Sequence, residues 1–137
     1  MVSLDTNVIL RLLLNDVPSQ AQEARALFSR AKPHSLVVED AVFFECVWVL
    51  SGPPYNLGRG VIAELLLGLV KMQPLHCNRS LVERVMPLYM QYPSVSLIDL
   101  VLAAYAELNG ATPLLTFDKA FAKKLPGVTS TDVAGAV

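Results

Sequence analysis

Short apolar runs alternate along the chain with longer stretches in which apolar residues recur at helical spacing. The short runs predict strands at 2–4, 35–38 and 112–116, and weaker strands at 74–76 and 127–129. The helical spacing predicts a first helix after residue 7 and further helices at 20–30, 40–50, 61–72, 81–90, 97–108 and 118–124. Strands that alternate with helices in this way indicate an α/β sandwich around a parallel sheet.

The breaks between these segments carry residues that start and stop helices. Pro18 and Ser19 precede one predicted helix and Ser96 precedes another, and proline and serine both favour a helix start. Asn109 and Gly110 form a C-terminal signal after the helix at 97–108. The boundaries of the predicted helices therefore agree with the apolar pattern.

Length and composition indicate one folded domain. The chain has 137 residues, which fits a single domain over 1–137, and it is 53% hydrophobic and 17% charged. A disordered chain has the opposite balance. The amino terminus lacks the basic segment of an export signal, and no apolar run reaches membrane length without a charge. We therefore expect a cytoplasmic protein without a membrane segment.

The cysteines and the net charge exclude some classes of function. Cys46 and Cys77 make neither a disulfide framework nor a zinc site, and Cys46 is predicted to be a buried thiol within an apolar helix. The formal charge of −1 argues mildly against a nucleic-acid binder, since such proteins are often basic overall. An argument for nucleic acid must therefore come from the positions of individual charges.

Four of the twelve acidic residues interrupt apolar segments. Asp5 and Asp118 follow predicted strands, whereas Glu45 and Asp99 have mostly apolar neighbours in predicted helices. We expect these four carboxylates to lie on buried faces. The other eight lie on polar helix faces or in breaks and caps, where solvated acids belong: Asp16, Glu23, Glu39, Asp40, Glu64, Glu83, Glu107 and Asp132.

A group of buried carboxylates needs compensation. Burial of one ion costs several kcal/mol without a partner, and two carboxylates at roughly 4 Å repel by about 4 kcal/mol at an effective dielectric near 20. A single acid in an apolar run is more often partly exposed or paired with a base. Four such acids, two of them at the strand ends where α/β sheets bind ligands, favour a site for a hard divalent ion such as Mg²⁺ or Mn²⁺.

The same segments resemble a known family. Asp5-Thr6-Asn7-Val8 is similar to the opening of PIN-domain proteins, VapC-type toxins in particular. Segments 44–50, 98–106 and 114–121 resemble the second, third and fourth acidic motifs of that family. Each motif alone is weak, but the ordered set is specific. The resemblance implies a three-layer α/β/α sandwich with a short, mainly parallel sheet.

The resemblance also implies a metal-dependent ribonuclease, with one or two Mg²⁺ or Mn²⁺ ions that activate water and stabilise charge on the scissile phosphate. It implies a cognate antitoxin and a homodimer as partners. The metal and catalytic site of the family falls on Asp5, Glu45, Asp99 and Asp118, and its polar supports fall on Thr6, Asn7 and Thr116. Candidates for contacts to the RNA backbone are Arg11, Arg59, Lys119, Lys123 and Lys124, although each alone fits a solvated surface charge.

Other interpretations fit less well. The phosphatase loop of haloacid dehalogenases needs a second acid where Asn7 stands, and a receiver domain needs paired acids near its first strand. Gly58-Arg59-Gly60 lacks the lysine and hydroxyl of a P-loop. The alternative from a different class is a catalytically weak PIN-like binding module that acts by association with an antitoxin. Neutralisation of Asp5 or Asp99 would abolish the function of a nuclease and spare that of a binding module.

Overall fold

A computed structural model gives the fold of the chain and describes residues 1–131. Asp132, predicted to lie in a break or cap, falls outside the described residues. The backbone divides into two compact units, an N-terminal unit (Met1–Val82) and a C-terminal unit (Glu83–Val137). Each unit is described by itself.

The described residues contain five strands and seven helices, and one or two helices separate each strand from the next. The strands are β1 (Val2–Ser3), β2 (Leu36–Val38), β3 (Leu75–Cys77), β4 (Leu114–Thr116) and β5 (Val128–Ser130). The helices are α1 (Thr6–Leu13), α2 (Pro18–Arg30), α3 (Asp40–Ser51), α4 (Arg59–Leu69), α5 (Arg79–Gln91), α6 (Leu97–Leu108) and α7 (Lys119–Lys124).

The sheet of the N-terminal unit has three parallel strands in the order β1-β2-β3. Strand β2 lies in the centre, where Leu36 and Val38 are buried. Strand β1 is at an edge, and Val2 is exposed although its apolar run predicts a buried strand. The run becomes buried only at Leu4, whose backbone N–H donates to the Val37 carbonyl at 2.9 Å.

The helices of the N-terminal unit pack against one another. Helix α1 contacts both α2 and α3, and α3 contacts α4. Their buried side chains recur at helical spacing, which is how an amphipathic helix covers a core. The largest fully buried apolar side chains of these four helices are Ile9, Phe43, Val47, Leu50, Ile62, Leu66 and Leu69.

The sheet of the C-terminal unit contains β4 and β5, which pair in parallel, with Leu114 opposite Val128. Helix α7 contacts both strands and α6 contacts β4. Helix α6 ends as the sequence predicts, because Gly110 takes a positive φ of 65° and its N–H donates to the Glu107 carbonyl. The Ala111 N–H donates to the Ala106 carbonyl, which completes a Schellman motif.

The α/β class with short parallel strands is confirmed, and the strands form two sheets where a single sheet was expected. The helix predicted at 61–72 spans Arg59–Leu69, and the strand predicted at 112–116 is shortened to Leu114–Thr116. Within 1–131, no helix is long and apolar enough to cross a membrane.

Candidate functional site

Asp5 links a strand to a helix in the N-terminal unit. It stands two residues past the end of β1 and is the N-cap of α1, where its Oδ1 accepts a hydrogen bond from the Val8 N–H at 3.1 Å. The side chain is exposed. A carboxylate has two oxygens, so the cap bond on Oδ1 leaves Oδ2 for another ligand. The position at a strand end is the one that the sequence predicts.

Glu45 lies on the solvent-facing side of α3, and the prediction of a buried face for it is wrong. The buried stripe of α3 consists of Phe43, Cys46, Val47 and Leu50, whereas Glu45 and the nearby Trp48 are exposed. Helix α3 is apolar nearly all round, so its sequence pattern does not reveal which face meets the core. Since Glu45 remains solvated, it carries no large desolvation cost.

Asp118 repeats the geometry of Asp5 in the C-terminal unit. It stands two residues past β4 and is the N-cap of α7, where its Oδ1 accepts a hydrogen bond from the Phe121 N–H at 3.0 Å. Its own backbone N–H donates to Thr116 Oγ1 at 3.0 Å. Thr116 therefore holds the backbone that carries Asp118, although the Asp118 side chain is exposed rather than buried.

Asp99 lies in the first turn of α6 and is half-buried. Its backbone N–H donates to the Ser96 hydroxyl at 3.2 Å, so the serine predicted as an N-cap does cap this helix. A carboxylate in the first turn is also favoured by the positive end of the helix dipole. The expectation of burial is thus met only in part at Asp99, and it is wrong at Asp5, Glu45 and Asp118.

Each unit contains two of the four predicted acids on elements that pack together. Asp5 caps α1, which contacts the helix of Glu45. Asp118 follows β4, which contacts the helix of Asp99. All four donors are carboxylates on accessible or half-buried positions, and this donor chemistry suits Mg²⁺ or Mn²⁺. Over the described range, no three His, Cys, Asp or Glu side chains form a group that could hold a metal ion, and the four-acid site stays a prediction.

The polar residues that follow Asp5 point in different directions. Thr6 is buried, with 8% of its surface exposed, whereas Asn7 is exposed. Asn7 lies with Asp5 along a groove of about 650 Å³ between α1 and α2. The groove is also lined by Arg11, Gln20, Glu23 and Arg30. The exposed Asp5 therefore shares the groove with basic side chains from two helices.

Arg11, a predicted contact to the RNA backbone, is held by an ion pair. Its Nη1 lies 2.7 Å from Asp16 Oδ1, and the Tyr55 hydroxyl donates to Asp16 Oδ2 at 2.6 Å. The Tyr55 hydrogen bond, helped by the charge of Arg11, lowers the pKa of Asp16. The sequence predicts Asp16 only as a solvated acid in a break and does not reveal this network, because Tyr55 is 39 residues away in the chain.

The other predicted RNA contacts lie on two helices. Arg59 is the first residue of α4 and is half-buried. Lys119 begins α7, and Lys123 and Lys124 lie in its last turn, all three exposed. The negative end of the helix dipole favours lysines in a last turn, which is a structural reason for Lys123 and Lys124 beside any contact to RNA.

The Cys46 thiol is excluded from thiolate chemistry by its surroundings. Cys46 is fully buried, as predicted, and burial together with the neighbouring Glu45 charge raises its pKa to about 12. Thiolates are the reactive and metal-binding form of cysteine. Cys46 is consequently a packing residue of α3.

Comparison with known proteins identifies one family. The sequence pattern that defines the PIN domain matches residues 2–124. The match covers nearly the whole chain and includes Asp5, Glu45, Asp99 and Asp118. No curated protein matches the chain.

Proposed function

Since the chain belongs to the PIN-domain family, whose members are generally metal-dependent nucleases, we propose that it is an endoribonuclease that requires Mg²⁺ or Mn²⁺. The observation that carries this proposal is the repeated placement of Asp5 and Asp118. Each follows a parallel strand, caps the next helix with Oδ1 and is exposed. Carboxyl ends of parallel strands are where α/β proteins bind their ligands.

The metal ligands in this proposal are Asp5, Glu45, Asp99 and Asp118, which are also the catalytic carboxylates. A bound divalent ion supplies positive charge at the scissile phosphate and favours its attack by water. Because these carboxylates are exposed or half-buried, the folded chain does not pay the full desolvation cost of buried charges before the ion binds. Thr116 acts as a positioning residue, because its hydroxyl fixes the backbone N–H of Asp118. Thr6 and Asn7 have the corresponding supporting role after Asp5.

Contacts to the RNA backbone are proposed for Arg11, Arg59, Lys119, Lys123 and Lys124. Their positive charges would offset the repulsion between an acidic site and a polyanionic substrate. The net charge of the chain, −1, does not offset that repulsion. Arg11 is already oriented by Asp16, so its guanidinium loses less side-chain freedom when it meets a phosphate.

The biological setting that we propose is the toxin of a toxin–antitoxin pair, acting in the cytoplasm as a homodimer. The support is the likeness of segments 5–8, 44–50, 98–106 and 114–121 to VapC-type toxins. A toxin of this kind needs a cognate antitoxin that blocks it. Co-expression with the gene next to it is the direct test of that partner.

The experiment that tests the nuclease is RNA cleavage by the purified chain with Mg²⁺ or Mn²⁺ and with EDTA, beside the Asp5→Asn variant. We expect cleavage that needs the metal and disappears in the variant. We also expect Mg²⁺ or Mn²⁺ to raise the melting temperature of the wild type, because a ligand that binds only the native state stabilises it.

Two outcomes would count against the proposal. Cleavage that survives both EDTA and Asp5→Asn would identify a contaminating nuclease. No cleavage of mixed RNA, with a melting temperature that metal does not change, would favour the PIN-like binding module that associates with an antitoxin. A change in melting temperature without cleavage would instead direct the search to a narrow substrate such as one structured RNA.

A further inference from the structure

Within residues 1–131, two aromatic side chains are exposed, and both are next to proposed metal ligands. The chain has one Trp, four Tyr and five Phe. Trp48 is 75% exposed and Phe117 is 90% exposed, whereas the other aromatic side chains are buried or half-buried. Trp48 lies one turn after Glu45 on the same helix, and Phe117 directly precedes Asp118.

The exposure of these two rings has no explanation in packing. Tryptophan is highly buried on average, since its large ring gains most from leaving water. Helix α3 fills its buried stripe with Phe43, Cys46, Val47 and Leu50, so the indole of Trp48 is not needed there. The backbone of both residues is at a defined place, Trp48 within a helix and Phe117 between a strand and a helix cap.

The surroundings of the rings favour RNA over protein as the occupant. Protein interfaces have a contiguous apolar centre with few charges. Trp48 instead has Glu45 and Ser51 as exposed neighbours on its helix. Phe117 stands between Thr116 and Asp118, with Lys119 next to them. Each ring is thus exposed next to a carboxylate, and proteins stack unpaired nucleobases on exposed aromatic rings of this kind.

We propose that Trp48 and Phe117 are substrate-binding residues that each stack on an unpaired nucleobase of the RNA. The proposal rests on the proposed function and adds two residues to it. Stacking tolerates any base, because every base offers a flat face. Each ring would thus hold flexible RNA beside the acid of its own unit and would favour unpaired segments over duplex.

The chain provides its own probe, because Trp48 is its only tryptophan. A short oligoadenylate is titrated into the Asp5→Asn protein, which retains Trp48, while the tryptophan fluorescence is recorded. We expect the oligoadenylate to quench the fluorescence. A backbone of the same length without bases should leave it unchanged, and a duplex of the same length should quench far less.

Substitutions then measure what each ring contributes. In a binding assay with a fluorescently labelled oligoadenylate, which needs no tryptophan in the protein, Trp48→Ala and Phe117→Ala should each weaken binding roughly 5- to 100-fold, and Trp48→Phe should recover most of the affinity. In the cleavage assay the alanine variants should raise KM more than they lower kcat. Val61→Ala and Leu108→Ala are the control variants, because Val61 and Leu108 are apolar, are 49% and 46% exposed, and are not among the residues of the proposed site.

Several results would overturn the stacking proposal. Unchanged affinity and KM in Trp48→Ala, with metal-dependent cleavage intact, would refute stacking by Trp48 and leave the nuclease standing. Equal quenching by the backbone without bases would assign the signal to charge. A change of oligomeric state in Trp48→Ala, with RNA affinity unchanged, would assign the ring to a protein interface.

Base-dependent quenching without any cleavage would support stacking and would count against the nuclease.

Discussion

The junctions at Asp5 and Asp118 have the same local geometry in two different units. In both, an aspartate stands two residues past a parallel strand. Its Oδ1 accepts a hydrogen bond from the backbone N–H of the residue three positions later, Val8 or Phe121. Both side chains are exposed. An aspartate at this position is also a strong helix N-cap for purely local reasons. The shared geometry therefore has a structural cause as well as the proposed catalytic one.

What lies around the two junctions differs. Asp5 begins a helix of eight residues whose Thr6, Ile9 and Leu10 are buried, and it opens onto a groove lined with charged side chains. Asp118 begins a helix of six residues in which Phe121 is the buried side chain. The first junction is anchored by packing, and the second is anchored by the Thr116 hydroxyl. At both junctions, capping and metal binding can therefore be separated only by substitutions that retain the cap.

The largest effect is expected from Asp5→Asn and Asp118→Asn. Loss of a group that merely supports a metal ligand costs roughly 10- to 100-fold, so loss of a ligand should lower metal-dependent RNA cleavage by more than about 100-fold. Asparagine caps helices about as well as aspartate, so the melting temperature without added metal should not change. Cleavage rates and melting curves of both variants check this.

Glu64→Gln is the control, since Glu64 is an exposed carboxylate on α4 outside the proposed site. Its cleavage rate should equal that of the wild type. If Asp118→Asn retained full activity while Asp5→Asn lost it, the two junctions would not be equivalent, and Asp118 would be a cap alone.

The next effect concerns the hydroxyl that holds Asp118. Thr116→Val keeps the shape of the side chain and removes the acceptor of the Asp118 N–H. We expect kcat/KM for RNA to fall roughly 10- to 100-fold, as for other groups that orient metal ligands. Thr116→Ser keeps the hydroxyl and should retain most of the activity. Equal activity of the valine and serine variants would mean that the hydrogen bond has no role in orientation.

A smaller effect on stability should distinguish the caps themselves. Asp5→Ala removes the cap of α1 and should lower the free energy of unfolding by about 1 kcal/mol. Asp118→Ala should cost less, because α7 is shorter and buries less. Urea unfolding midpoints of both variants, compared with their asparagine counterparts, measure the difference. A larger loss in Asp118→Ala would reverse the order that packing predicts.

The smallest effect is the pH dependence of the Asp16 network. The Tyr55 hydrogen bond, with the Arg11 charge, lowers the pKa of Asp16 below its ordinary 3.8. The folded chain thus favours the ionised form of Asp16 over the protonated form more than the unfolded chain does. The resulting stability is present above pH 3.8 and is lost as the pH falls through the lowered pKa.

Tyr55→Phe tests this with melting curves at several pH values. The variant should melt slightly below the wild type at neutral pH, and the difference should shrink at pH values below 3.8. A difference that is the same at neutral and acid pH would show that Tyr55 acts through packing alone.

The fold follows from the sequence where local signals decide it. The Ser96 cap, the Gly110 helix end and the strand ends before Asp5 and Asp118 all depend on neighbouring residues. Short-range hydrogen bonds and backbone preferences set these features, so one sequence suffices to predict them. The division of the strands between two sheets depends on pairing between distant segments, which no local signal specifies.

The sequence predicts which residues belong to the candidate site, but it does not predict how exposed their side chains are. The sequence alone marks Asp5, Glu45, Asp99 and Asp118, because an acid in an apolar segment is unusual. It does not reveal which side of α3 faces the core, since apolar residues surround Glu45 on every side. In the tertiary structure, the opposite face of α3 packs against the core, so Glu45 and Trp48 are exposed to solvent.

In this protein, local sequence set the order of strands and helices, the helix boundaries at Ser96 and Gly110, and the positions of the acids beside these elements. These depend on interactions between residues a few positions apart. Only the tertiary structure decided which apolar faces are covered, and it joined Tyr55 to the Arg11–Asp16 pair. Burial and such contacts depend on the whole core, because a helix face is covered only when distant segments pack against it.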